Sequence, residues 1–245
     1  MTYTLSIIVP CYKPSARWAT IICEKMLAYQ QFSSQRELHL VVINDGSEKS
    51  ITTSDLALLE KNIPNFSYYA YKENQGKGYA LRYGLQHKQS DFYLITDIDF
   101  PYTLESMFSL ENQLISEKDD IVSGFRNEVY YQSVPAFRKT LSQFFRWIMQ
   151  KMLQLPVSDT QCGLKGFNNK GKVVFLTTQT KRFLYDLEFL LRANRNKQIK
   201  LSTCAVILRD HVAFSSYSFK VLFTELGNFL RILFNYFTGS YDNKI

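Results

Sequence analysis

Short apolar runs alternate with helical patterns through the first half of the chain. "LSIIVP" is followed by a helical stretch over residues 16–31, and "LHLVVINDGS" by a helix near residues 54–62. "FSYYAYK" leads into a helix that starts at the glycine turn of residues 76–78. "FYLIT" precedes the helical "TLESMFSLENQLISE", and "DIVSGF" is another short run. Strands that alternate with helices predict an α/β fold, a mainly parallel Rossmann-like sheet flanked by helices on both faces. In such sheets ligands bind outside the carboxyl ends of the strands. Acids stand at two of those ends, Asp45 in "VVINDGS" and the pair Asp97 and Asp99 in "FYLITDIDFPYT".

Beyond Val134 the pattern changes. "VPAFRKTLSQFFRWIMQKMLQLP" places Arg138, Lys139, Arg146 and Lys151 on one helical face and Phe137, Leu141, Phe144 and Ile148 on the other. Near the end, "FKVLFTELGNFLRILFNYFTG" narrows its polar side to a stripe of Lys220, Thr224, Asn228, Arg231 and Asn235. Half-burial against one small domain does not account for so wide an apolar face. It points to a helix lying in a membrane interface or packed in a homo-oligomer. The chain therefore divides into a domain over residues 1–215 and an amphipathic helical tail over 216–245.

Composition adds limits. With 46% hydrophobic and 21% charged residues over 245 positions, the chain can bury a core without staples. No apolar run reaches about 18 residues, so a spanning helix is not expected. "MTYTLSIIVP" reads as the approach to a strand rather than a targeting segment. Cys11, Cys23, Cys162 and Cys204 form no CxxC pair and fit reduced thiols in a cytosolic protein. The net charge of +7 suits an anionic partner such as nucleic acid, anionic lipid or a phosphorylated small molecule.

The motifs narrow that choice. In "DIDF", carboxylates two apart on an extended chain would point the same way and could face one Mg²⁺ or Mn²⁺, with substrate phosphates completing its shell. "NQGKGYALRYGL" sets glycines around Lys77 at a helix start, where backbone N–H groups and an ammonium suit a phosphate. "SDTQCGLKGF" offers Asp159, Gln161 and Lys165 before a short strand, and "FLYDLEFLLRA" sets Asp186 and Glu188 near a helix start. The first strand leads to "PCYKPS", which is neither a dinucleotide fingerprint nor the Gly-rich basic loop of a nucleotidyltransferase. "GFNNKGKV" matches GxxxxGK but has Val173 where a P-loop needs a hydroxyl. A non-enzymatic basic module would leave the paired acids unexplained.

Taken in order, "SIIVPCYKP", "NDGS", "NQGKGYAL", "TDIDF", "GFR", "DTQCGLKGF" and "YDLEFLLRA" resemble family 2 inverting glycosyltransferases of the GT-A fold, over roughly residues 4–215. "DTQCGLK" is the most discriminating, being similar to the dolichyl-phosphate glucose synthases and related bacterial polyprenyl-phosphate enzymes. The resemblance implies a metal-dependent transfer of a hexose from a nucleotide sugar, UDP-linked by preference, to a polyprenyl phosphate at the inner membrane face, with no role for nucleic acid. It places Pro10, Tyr12 and Asp45 around the nucleoside, Lys77 at the diphosphate, and Asp97 and Asp99 on the metal. Arg126 and Arg138 would meet the acceptor phosphate, and Gln161 and Lys165 would line the junction of donor and acceptor. A sugar-hydroxyl acceptor, as in polysaccharide synthesis, would instead need a base, with Asp186 or Glu188 as the candidate. Two departures from the family pattern stand out: Pro14 replaces a frequent Glu, and Pro101 occupies a place where mannose-transferring relatives carry a Gln.

Overall fold

The computed structural model describes residues 2–126, 155–157, 159–209 and 219–241. Arg138 and the basic helix expected around it lie outside the described residues.

Among the described residues, seven strands form one sheet in the order β3-β2-β1-β4-β6-β5-β7. They are β1 (Tyr3–Cys11), β2 (Arg36–Asp45), β3 (Phe66–Tyr71), β4 (Phe92–Ile95), β5 (Ile121–Arg126), β6 (Lys165–Asn168) and β7 (Leu201–Val206). Six run in one direction, and β6 is antiparallel to both of its neighbours, β4 and β5. The helices are α1 (Trp18–Gln30), α2 (Thr53–Asn62), α3 (Lys77–His87), α4 (Leu104–Ser116), α5 (Asn169–Leu176), α6 (Tyr185–Arg195) and α7 (Phe219–Phe237).

The apolar run of β1 explains the layering. Leu5, Ile7 and Val9 pack with Trp18, Ile22 and Met26 of α1 and with Met107 and Leu110 of α4. Ile8 faces the other way, into a core with Ala80 and Leu81 of α3, Phe175 of α5 and Phe189 of α6. A strand covered on both faces needs apolar side chains at odd and even positions alike, which is why "LSIIV" lacks alternation. The expected strands and helices of the first half are present. β7 and α5 were not foreseen. "LSTCAV" is a polar, half-exposed edge strand with little apolar signal. In "GFNNKGKV" the Asn168 side chain caps α5 by accepting from the Lys170 and Gly171 amides. Lys172 there donates to the Lys88 carbonyl, Gln89 Oε1 and the Tyr93 hydroxyl, so the GxxxxGK string is a capped helix with a buried lysine.

The extended geometry expected for the paired acids is not what forms. β4 ends at Ile95, and residues 97–100 make a turn closed by Phe100 N–H to Asp97 O at 3.0 Å. The register of β4 with β1 and β6 ends at Ile95, one further bond joins the Thr96 amide to the Ile8 carbonyl, and residues 97–100 are left outside the ladder.

α7 buries Phe229, Ile232 and Tyr236 in the core shared with α6. Its other row, Leu230, Phe234 and Phe237, is exposed at 59%, 68% and 59%. Among the described residues, no helix is long and apolar enough to cross a membrane.

At the amino ends of the strands, Arg36 and Glu111 form a fully buried ion pair. Glu111 also accepts from the Tyr3 hydroxyl at 2.6 Å and the Tyr29 hydroxyl at 2.5 Å, and the Arg36 guanidinium lies over the Tyr29 ring at 4.1 Å. This network joins β1, α1, β2 and α4 far from the ligand edge, so its value is to the fold. Glu111→Gln leaves the Arg36 charge buried and uncompensated and is expected to cost about 3–5 kcal/mol. Urea unfolding of the two proteins measures it, and an unchanged midpoint contradicts the assignment.

Candidate active site

The carboxyl edge of the sheet collects most of the residues singled out from the sequence. At the end of β2, Asp45 is buried and its carboxylate is fully engaged. Oδ1 accepts from the Tyr71 hydroxyl at 2.9 Å and the Gln75 amide at 2.7 Å, and Oδ2 accepts from Asn74 Nδ2 at 2.8 Å and the Gly76 amide at 2.9 Å. Burial, then the Asp45 charge, raises the Tyr71 pKa, so the phenol stays a donor. Asp45 thus fixes the loop of residues 74–76 that opens α3. That loop passes through Gly76 at φ +99°, where a Cβ would come within 2.6 Å of the Lys181 carbonyl oxygen.

Lys77 is the first residue of α3, and its Nζ lies 2.6 Å from Asp97 Oδ1. Asp97 is partly exposed and Asp99 more so. Desolvation, and next the neighbouring Asp97 charge, raises the Asp99 pKa. Two mutually repelling carboxylates beside one lysine make a place where added positive charge is welcome.

"DTQCGLK" arrives from the opposite direction because β6 is antiparallel, with Lys165 opposite Ile95 of β4. Its Gly163 sits against the acid turn so closely that a Cβ would lie 2.6 Å from Asp97 Oδ2. The Tyr102 hydroxyl fastens the two loops by accepting from the Gly163 amide at 2.8 Å and from Cys162 Sγ at 3.3 Å. Burial raises the Cys162 thiol pKa to about 11 and that of Cys11 to about 12, so neither is a nucleophile near neutral pH.

The remaining charges are paired. Lys165 is fully buried; its ammonium meets Asp186 Oδ1 at 2.7 Å and donates to the carbonyls of Thr160 at 3.2 Å and Cys162 at 2.5 Å. Burial raises the Asp186 pKa, with Lys165 working against it. Glu188 accepts from the amides of Gln179 and Thr180 and from Arg192 Nε, at 2.7–3.0 Å. Arg126, at the end of β5, holds Asp159 through Nε at 2.7 Å and Nη2 at 2.8 Å. Pro10 and Tyr12 stand at the end of β1, with Tyr12 46% exposed, and Gln161 is exposed on the "DTQCG" loop. The structure therefore brings Asp97, Asp99, Lys77 and the Gly163 loop together and seats Lys165 and Asp186 beneath that surface, whereas Glu188 is turned to the loop of residues 179–180. Tyr102, Gly163 and Arg209 were missed by sequence reasoning. Tyr102 and Gly163 lie inside quoted motifs, but their partners are residues about sixty positions away, which spacing alone does not reveal.

The architecture is that of the GT-A fold, with its acids at the carboxyl edge. The chain matches the Glycosyl transferase family 2 model over residues 6–212 and belongs to that family. It is 26% identical over 204 residues to a dolichyl-phosphate beta-glucosyltransferase of Dictyostelium discoideum, covering 78% of this chain and 62% of that one. A protein of the same name from Drosophila melanogaster is 26% identical over 215 residues, covering 82% and 66%. The chain thus spans a little under two thirds of these relatives. Among solved structures, mannosyl-3-phosphoglycerate synthase from Rubrobacter xylanophilus superposes with a TM-score of 0.68 at 11% identity, covering 94% of this chain and 72% of that one. Glucosyl-3-phosphoglycerate synthase from Mycobacterium tuberculosis, solved with Mg²⁺ and UDP, gives 0.65 at 12%, covering 96% and 79%.

The Arg126/Asp159 pair has a pH signature. Burial works against the Asp159 carboxylate, but the hydrogen bonds and charge of Arg126 outweigh it and hold the pKa below the usual range. A depressed carboxylate stabilises the fold above its unfolded pKa of about 3.9 and loses that contribution as pH falls through the lower folded value. Asp159→Asn is therefore expected to be less stable than the parent at pH 7, and the gap should shrink below about pH 4. Urea midpoints across that range test it, and a gap independent of pH counts against the pairing.

Proposed function

We propose that this domain transfers a hexose, glucose by preference, from a UDP-sugar to a polyprenyl phosphate with inversion at the anomeric carbon. The observation that carries the choice of acceptor is the state of the acids. Asp45, Asp159, Asp186 and Glu188 are each engaged by amides, a lysine or an arginine. Among these acids none stands ready to take a proton from a sugar hydroxyl. A phosphate oxygen is already anionic at neutral pH and needs orientation rather than a base. The names of the relatives, dolichyl-phosphate beta-glucosyltransferases, support the same acceptor class and a glucosyl donor.

In this reading Tyr12 and Pro10 flank the nucleoside, and Asp45 acts through the loop of residues 74–76 that it holds. Lys77 faces the donor diphosphate. Asp97 and Asp99 would hold Mg²⁺ or Mn²⁺, which when bound neutralises charge on the leaving diphosphate. The donor set fits such a hard cation. With two carboxylates as the protein's donors, phosphate oxygens and water would complete the shell. The Mg²⁺ and UDP bound by the mycobacterial fold relative are consistent with this reading. Lys165, beneath the "DTQCG" loop, acts by holding that loop's carbonyls, and Gln161 at its surface faces the junction of donor and acceptor. Arg126, oriented by Asp159, addresses the acceptor phosphate at the end of β5, with Arg138 as a second contributor.

The acceptor lipid would hold the domain on the cytoplasmic membrane surface, and the exposed row of α7 supplies the contact. Two measurements follow. Labelled UDP-glucose and polyprenyl phosphate with Mg²⁺ or Mn²⁺ should move label into the organic extract. Chelator should abolish this, and Asp97→Asn should lower it roughly a hundredfold or more. Label transferred equally well with Asp97→Asn would sink the metal-site reading. Phe234→Asp should reduce co-sedimentation with anionic liposomes by about tenfold, the value of one large apolar side chain. Unchanged sedimentation removes α7 as the membrane contact.

A further inference from the structure

The turn that carries Asp97 and Asp99 is not self-supporting. It places Phe100, a fully buried aromatic residue, at φ +47°, a left-handed conformation that bulky side chains avoid. Within the turn the Phe100 amide donates to the Asp97 carbonyl. The support comes from the segment after β7. Arg209 Nε donates to the Phe100 carbonyl at 2.6 Å and Nη2 to the Asp99 carbonyl at 2.5 Å. The Arg209 amide donates to the Pro101 carbonyl at 2.8 Å, and Tyr102 forms an antiparallel bridge with Leu208.

We propose that Arg209 is a positioning residue that clamps the main chain of the acid turn into its cation-accepting shape. A fixed cation next to a cation site opposes occupancy by charge alone. Its presence makes sense when its donors are directed at two successive carbonyls, a task that suits the planar fork of a guanidinium and not an ammonium. Charge and geometry then predict opposite signs. Removing the charge alone would tighten metal binding, whereas losing the fork loosens the turn and weakens it. The inference rests on the reading of Asp97 and Asp99 as the metal site, and its test separates the two.

Mn²⁺ binding in the presence of saturating UDP, followed by electron paramagnetic resonance, is measured for the parent, Arg209→Lys and Arg209→Gln. Hydrogen exchange of the peptide spanning residues 97–103 is recorded alongside. Both variants are expected to bind Mn²⁺ about tenfold more weakly, the effect of losing a charge-assisted hydrogen bond. Exchange should rise in that peptide while the sheet stays protected, which separates local loosening from failure to fold. UDP binding without metal should be unchanged. Arg209→Gln binding Mn²⁺ as tightly as the parent or more so, with exchange unaltered, overturns the clamp. A loss of metal-free UDP binding also overturns it, by making Arg209 a substrate contact. A parent protein that binds no Mn²⁺ with UDP instead removes the metal-site reading on which the clamp depends.

Discussion

The ligand edge of this domain depends on one buried ammonium. Lys165 is removed from water at the first position of β6, and such a charge is tolerated when acceptors surround it. Asp186 supplies the counter-charge from α6, and the carbonyls of Thr160 and Cys162 supply the rest. Satisfying Lys165 therefore fixes where the "DTQCG" loop lies and where α6 begins. With the loop fixed, Gly163 touches Asp97 and the Tyr102 hydroxyl receives the Gly163 amide. The position of the acid pair is in this sense a consequence of an ion pair buried beneath it.

A second set of constraints acts from the other side. Asp45, which engages four donors, holds the loop before α3 and so places Lys77 against Asp97. Most of the acids near the site are spent on holding loops. Asp97 and Asp99 differ from these: they sit partly exposed on the turn, with the Lys77 ammonium beside Asp97. The division of labour is electrostatic: the engaged carboxylates hold loops and helix starts in place, and the two on the turn stay partly exposed beside each other.

Much of the fold was legible because central strands and their covering helices carry strong apolar patterns. β1, β2 and α3 are read directly from "LSIIVP", "LHLVVIND" and "GKGYALRYGL". β7 was not, because an edge strand with Ser, Thr and Cys on it has little apolar contrast. The candidate residues were legible as motifs, but their tasks were not. Lys165 reads on the page as an accessible lysine and is buried; Glu188 reads as a spare acid and holds the amides of Gln179 and Thr180. The extended geometry assumed for Asp97 and Asp99 failed because pairing ends at Ile95, and where a ladder stops depends on neighbours distant in sequence. Arg209 carried no signal, since a residue that donates to main-chain carbonyls leaves no side-chain partner to look for.

The reversed strand has a consequence for how such a domain can diverge. β5 ends at the ligand edge with Arg126, and β6 starts at that same edge with Lys165. The connection between them therefore begins and ends at one edge of the sheet. Its described end is built into both core layers, Leu155 and Val157 on one face and Cys162 and Leu164 on the other, so variation there is constrained by packing. Divergence of this connection is bounded at both ends by buried charge pairs, Asp159 on Arg126 and Asp186 on Lys165.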